Sequence, residues 1–370
     1  MEANRSTGQP GTTPDRRQVW LPLISGEQRG LGAALARFGL WLMAGLYRAG
    51  LFLRNLRFRL PGAVRRIGRP VISIGNLTVG GTGKTPMAAY LARLAADMGG
   101  RPLIVSRGYA SAAGEANEET QELARLCPHV PCVQNRDRWQ AIHDWMWRNP
   151  CDVAILDDGF QRRRLARDLD IVLVDASLPF GYGHVLPRGL LREPPSALRR
   201  ADLVIITRAE LVEADALAAL KEDLARRTRP GVPILIAEHR PQKLIALDGS
   251  SQDLSRLRGQ DVAAACGIGS PDAFRRTLEA LGARVALWKM YPDHYPYTVE
   301  EVERLLRAAH SAGLKMLVTS GKDYVKWKPL LGGRKGSGSA PVEVVALTVG
   351  IEIVEGADVL ARRVRSLLPG

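Results

Sequence analysis

A chain of 370 residues with 46% hydrophobic, 24% charged and 6% aromatic residues is too long for one small domain and too apolar for a disordered or fibrous class, and it suits two α/β domains of ordinary size. Its 52 Lys and Arg against 38 Asp and Glu give a formal net charge of +14, which calls for anionic partners such as phosphates, acidic lipid headgroups or nucleic acid without choosing among them. Cys127, Cys132, Cys151 and Cys266 form no CxxC pair and stand in no His-rich spacing, so they indicate neither a zinc site nor a disulfide framework and fit a reducing compartment.

Residues 1–22 show no apolar period and read as a loose tail. No cleavable signal peptide is expected, because the first apolar run starts only after residue 30 and no small-residue cleavage site follows it. That run, residues 31–53 (LGAALARFGLWLMAGLYRAGLFL), is long enough to cross a bilayer but carries Arg37 and Arg48. At about 100° per residue these arginines and Asn55 fall within about 20° of one another and leave the rest of the helix apolar. Residues 23–69 therefore read as an amphipathic helix lying in a membrane interface, with Arg54, Arg57, Arg59, Arg65, Arg66 and Arg69 adding attraction to anionic lipid. The alternative is a helix packed on the protein's own core with its arginines in water.

From residue 70 short apolar runs alternate with helical stretches, the pattern of a mostly parallel sheet with helices on both faces. Strands are predicted at 71–75, 102–106, 153–157, 171–175, 203–207 and 233–237, each apolar enough to be buried on both sides. After about residue 240 the pattern restarts at 262–267, 284–288, 315–319 and 343–347. This places a core at 70–238 and a smaller C-terminal α/β domain at 239–370, with an exposed loop at 332–340 (GGRKGSGSA).

Residues 74–86, IGNLTVGGTGKTP, follow the first of these strands and open a helix. They read as a P-loop, in which glycines let backbone N–H groups wrap phosphates, a lysine reaches the β and γ phosphates and a hydroxyl holds Mg²⁺. Thr78, Val79, Gly80, Gly81, Thr82, Gly83, Lys84 and Thr85 form the nucleotide loop, with Thr78 in place of the usual first glycine. Pro86 is tolerated because the first helical turn needs no N–H donor. The acidic metal site is expected where an apolar strand ends, and Asp157 and Asp158 in VAILDDGFQ meet that requirement together with Thr85; either carboxylate can enter the Mg²⁺ shell while the other positions the nucleophile. Arg162, Arg163, Arg164 and Arg167 follow and suit a transferring phosphate or an anionic substrate, although a solvated face explains any one of them.

Together with VSRGYA (105–110), DLDIVLVDA (168–176), FGYGHVLPRGLLREP (180–194), LRRADLVIITRAE (198–210), PDHYPYT (292–298) and VTSGKD (318–323), these motifs resemble the tetraacyldisaccharide 4'-kinases over roughly residues 30–360. The resemblance implies a P-loop NTPase fold and transfer of the ATP γ-phosphoryl group, with Mg²⁺, to the 4'-hydroxyl of an acylated glucosamine disaccharide 1-phosphate, a lipid A precursor. It further implies a monotopic enzyme on the cytoplasmic face of the inner membrane, and a monomer is expected. In the family an acid and a histidine form a dyad that activates the hydroxyl, chemistry within reach of a carboxylate-held imidazole near neutral pH. His294 matches the histidine and Glu118 the acid, with Glu119 beside it as the other candidate; Lys84 and Asp158 complete the catalytic set. The chain departs from the family pattern at 117–119, Asn-Glu-Glu for Gly-Asp-Glu, and at Arg162 and Gly321, where the family often has His and Glu.

Two other classes remain at this point. A P-loop GTPase or ATPase switch is faintly suggested by TRAE at 207–210, yet Arg208 and Glu210 both depart from the guanine-reading motif. Nucleic-acid binding rests on charge alone, with no RNP, KH or zinc-finger pattern, and is not expected.

Overall fold

The protein was analysed as a computed structural model that describes residues 16–106, 118–292, 295–331 and 342–369. Its elements are, in order, α1 (Arg16–Ser25), α2 (Leu31–Leu56), β1 (Val71–Asn76), α3 (Lys84–Asp97), β2 (Pro102–Ser106), α4 (Glu118–Leu126), β3 (Cys132–Gln134), α5 (Arg138–Met146), β4 (Val153–Leu156), β5 (Leu169–Asp175), β6 (Leu203–Thr207), α6 (Ala214–Arg227), β7 (Ile234–Ala246), β8 (Ser251–Gln252), β9 (Asp261–Cys266), α7 (Pro271–Ala280), β10 (Arg284–Met290), α8 (Val299–Ser311), β11 (Met316–Ser320), α9 (Gly321–Leu331), β12 (Glu343–Glu355) and α10 (Ala357–Arg365).

The sheet runs β10-β9-β11-β12-β7-β6-β5-β1-β4-β2-β3, with β8 on β7. Neighbours from β7 to β3 are all parallel, as are those from β10 to β12. The two parallel halves meet where β7 and β12, 13 residues each, pair antiparallel. The predicted boundary at 238/239 therefore falls inside β7.

The apolar runs become strands because both of their faces are covered. Along β5, Leu169, Ile171 and Leu173 join the cluster beneath α3, while Val172 and Val174 join another on the opposite side, as the two-residue period of a strand requires. The cluster beneath α3 also takes in Ile351 and Ile353 of β12 and Leu360, Val364 and Leu368 at the chain's end. Helix α10 thus closes the core of the first half, and Arg365 Nη1 donates to the carbonyl of Met98 at 2.7 Å.

Arg16–Ser25 is helical, a departure from the loose tail expected through residue 22. The cause is tertiary and invisible to periodicity: Trp20 Nε1 donates to the carbonyl of Pro187 at 3.0 Å, and Ile24 is buried. Helix α2 has inverted polarity. The stripe that carries Arg37, Ala44, Leu51 and Asn55 faces the protein: Ala44 and Leu51 are buried, and Arg37 Nη1 donates to the carbonyl of Gln28 at 2.8 Å. The remaining surface leaves Leu35, Phe38, Trp41, Leu46 and Phe52 exposed, Leu46 to 76%. A contiguous apolar surface of this kind on a folded protein marks a binding face, which disfavours the alternative of a helix buried on its own core. No helix among the described residues is long and apolar enough to cross a membrane.

Candidate nucleotide and acceptor site

The turn between β1 and α3 shapes an anion cradle. Gly80 takes φ +132 and Gly83 φ +84, backbone that L side chains rarely adopt. Nothing lies within 4 Å of a Cβ placed on Gly80 or Gly81, whereas one on Gly83 would stand 2.8 Å from His239 Nε2. The first two glycines border open space and the third a wall. Helix α3 starts at Lys84 with no side-chain cap, so its leading N–H groups remain available to an anion. Thr82 Oγ1 is buried without a hydrogen-bond partner among the described residues, and the carbonyl of Thr82 accepts from Thr207 Oγ1 at 3.1 Å.

Lysine and carboxylates converge at the mouth of this cradle. Lys84 Nζ donates to Asn76 Oδ1 at 3.4 Å and lies 3.8 Å from Asp158 Oδ1. Thr85 Oγ1 donates to Asp157 Oδ2 at 3.2 Å, and Gln161 Nε2 ties the loop after β4 to the carbonyl of Asn76 at 2.8 Å. Asp158 holds φ +56, a left-handed conformation that aspartate tolerates better than most residues. Arg192 Nη1 reaches its two oxygens at 2.9 and 3.0 Å. Burial pushes the Asp158 carboxyl upward, but the charges of Lys84 and Arg192 outweigh it and hold the group below the usual carboxylate range. Arg138, buried at the start of α5, donates to the carbonyls of Asp157 at 3.1 Å and Asn135 at 2.8 Å and to that of Ser106.

The ends of β5 and β6 and the middle of β7 form the adjacent wall. Arg208, at φ +58, pairs with Asp175, and Glu210 Oε2 accepts the backbone N–H of His239 at 3.1 Å. Burial, aided by the Arg208 charge, pushes the His239 imidazole down to about 4. A folded pKa below the unfolded value means that the unfolded chain binds more protons across this window. Stability conferred by neutral His239 is thus full above about pH 6.5 and is lost as pH falls toward 4, by about 3 kcal/mol. Burial raises the Glu210 carboxyl, which opposes this trend, so the measurement that isolates His239 is the difference in urea midpoint between wild type and His239→Gln from pH 7 to pH 4. The wild type is expected to lose more stability than the variant.

Of the predicted site residues, Thr78, Val79, Gly80, Gly81, Thr82, Gly83, Lys84, Thr85, Asp157 and Asp158 come together at the end of β1 and β4. His294 lies outside the described residues, and Glu118 opens α4 with its side chain outside the description. Their surroundings share one support, α9. Lys326 Nζ donates to the carbonyl of Tyr295 at 3.1 Å. Asp323, fully buried, accepts from Tyr297 Oη at 3.0 Å, from the Gly267 N–H at 2.9 Å and from Ser320 Oγ. A Cβ on Gly321 would lie 2.5 Å from Arg125 Nη2 of α4, so the glycine makes room for that guanidinium. The same helix therefore grips the stretch next to His294 and abuts the helix that begins with Glu118. Sequence reasoning missed Arg192, Arg138 and His239; among so many arginines, only the fold reveals which two reach the acidic turn.

A family model described as tetraacyldisaccharide-1-P 4'-kinase matches residues 36–368. The tetraacyldisaccharide 4'-kinase of Anaeromyxobacter dehalogenans strain 2CP-C is 43% identical over 356 residues, covering 90% of this chain and 91% of the relative. That of Geobacter metallireducens is 42% identical over 308 residues, covering 78% and 85%. The crystal structure of LpxK from Aquifex aeolicus in complex with ATP superposes with a TM-score of 0.70 at 29% identity, covering 90% of this chain and all of that one.

Proposed function

This chain belongs to the tetraacyldisaccharide-1-P 4'-kinase family, and from that premise we propose how its residues perform the transfer. It is a kinase that uses ATP and Mg²⁺ to phosphorylate the 4'-hydroxyl of a tetraacyldisaccharide 1-phosphate, a lipid A precursor. The observation that carries the assignment of the site is the meeting of Lys84, Thr85, Asp157 and Asp158 in front of Gly80 and Gly81, whose faces are open.

The residues suit the group they would hold. Hydroxyl and carboxylate oxygens are the donors Mg²⁺ prefers. Among the described residues no three His, Cys, Asp or Glu gather into a metal site of their own, so the ion's remaining oxygens would come from phosphates and water, as is usual for Mg²⁺ in nucleotide sites. Mg²⁺ bound by Thr85 with Asp157 or Asp158 would neutralise charge that develops on the phosphates. Lys84 would reach the β and γ phosphates, and backbone N–H groups of the loop from Gly80 to Thr85 would meet the rest. His294, held by Glu118, accepts the proton of the acceptor hydroxyl.

The outward apolar face of α2 and the arginines that follow it support attachment to an anionic membrane surface on the cytoplasmic side. The P-loop core and the smaller C-terminal part then act as two lobes, with the acylated acceptor drawn between them beside α2. A monomer with no nucleic-acid partner is sufficient for this chemistry.

The test is transfer of labelled γ-phosphate from ATP to tetraacyldisaccharide 1-phosphate in detergent micelles. Label is expected at the 4' oxygen, and chelation of Mg²⁺ is expected to reduce it to background. Nucleotide hydrolysis without transfer, responding to a protein partner, would replace this reading with that of a switch.

A further inference from the structure

The strip of chain that carries Arg192 is held from two sides. On one side it runs along the P-loop: Val79 N–H donates to the carbonyl of Leu190 at 2.8 Å, Arg192 N–H to the carbonyl of Leu77 at 2.6 Å, and Thr78 bridges Leu191 antiparallel. On the other side α2 clamps it at consecutive residues. Tyr47 Oη donates to the carbonyl of Arg192 at 3.0 Å, and Arg54 Nη2 to Glu193 Oε1 at 2.6 Å.

Glu193 is 1% exposed, and its second oxygen accepts Arg200 Nη2 at 2.6 Å. The Arg200 guanidinium in turn lies 4.3 Å over the ring of Phe160, two residues beyond Asp158. A buried carboxylate is tolerated only while its cationic partners stay in place, so the Arg54–Glu193–Arg200 chain resists displacement of residue 193 and of its neighbour. Arg192 is the residue that grips both oxygens of Asp158. The exposed helix and the acidic turn are thus separated by one residue of the strip.

Resting on the kinase reading above, we propose that Tyr47 and Arg54 are positioning residues for phosphoryl transfer: through residues 192 and 193 they hold Arg192 on Asp158, so the helix that presents the apolar face also sets the carboxylate beside the P-loop. A misplacement of this kind is felt in turnover before it is felt in binding.

The experiment compares full-length wild type with Arg54→Gln, Arg54→Lys and Tyr47→Phe in mixed micelles. Arg54→Gln is expected to lower kcat about tenfold and to raise severalfold the Mg²⁺ concentration needed for half-maximal rate, with acceptor KM within about twofold of wild type. Arg54→Lys, which restores a cation to Glu193, is expected to recover most of the rate. Tyr47→Phe removes one hydroxyl and leaves the ring packed, so it carries the test should Arg54→Gln fail to fold; a kcat loss of about threefold is expected. Variants that lose micelle binding and gain acceptor KM, with kcat and Mg²⁺ dependence unchanged, would overturn the proposal and reduce α2 to an anchor. An inactive wild type would instead overturn the kinase reading itself, so the two failures are distinguishable.

Discussion

Lys84→Ala is expected to cut phosphoryl transfer about a thousandfold while the chain keeps its fold. The lysine stands at the first position of α3, with Nζ between Asn76 and Asp158, where a cation can follow charge as it moves onto the leaving phosphate. Alanine keeps the helix and the loop glycines but removes that charge. The structural cost is limited because the ion pair with Asp158 is long, at 3.8 Å, and Arg192 still neutralises the carboxylate. Steady-state kinetics with a parallel melting curve checks both halves, and near-normal turnover in a folded variant would refute the P-loop assignment.

His294→Ala is expected to lower kcat between about a hundredfold and ten-thousandfold, the range for removal of a general base, while ATP binding stays within about twofold. The reason for separating the two effects is spatial. Lys84 and Thr85 belong to β1 and α3 in the parallel half, whereas the stretch next to His294 is fastened to α9 in the other half, through Asp323 on Tyr297 and Lys326 on the Tyr295 carbonyl. Loss of the imidazole should therefore leave the nucleotide cradle untouched. Equilibrium binding of a non-hydrolysable ATP analogue beside single-turnover transfer resolves the two, and a variant that transfers at a tenth of the wild-type rate or faster would remove His294 from the role of base.

The parallel strands buried on both faces were legible for that reason: 102–106 and 203–207 are β2 and β6 to the residue, and 71–75 and 153–157 fall within one residue of β1 and β4, whereas the three half-buried residues of edge strand β3 were missed. The β7–β12 seam was not. The middle of β7 reads Glu-His-Arg-Pro-Gln-Lys, and beyond the predicted 343–347 the apolar residues Val349, Ile351 and Ile353 of β12 alternate with Thr348, Gly350 and Glu352. Polar residues survive in the middle because this stretch is half exposed, a condition that sequence alone does not distinguish from a loop. Helix α1 escaped for the opposite reason, since it is held by Trp20 and Ile24 against other elements and not by a periodic face of its own. The P-loop and the acidic turn were legible as local motifs. Arg192 and His239 were not, because what makes them part of the site is a strip returning antiparallel to the P-loop and the middle of β7 passing beside Gly83.

The position of α10 has a consequence for how the chain is made. A ribosome delivers the nucleotide-binding loop long before the residues that seal the layer beneath it: Leu360, Val364 and Leu368 fill the same cluster as Ile72 and Met87, and Leu368 lies so close to Gly100 that a Cβ there would stand 2.7 Å away. Folding in order of synthesis, at about 5–20 residues per second, leaves the nascent first half with an open apolar side for many seconds until α10 has been made. Loss of α10 would leave that side open permanently, so a lesion in α10 acts on a half of the molecule made long before it.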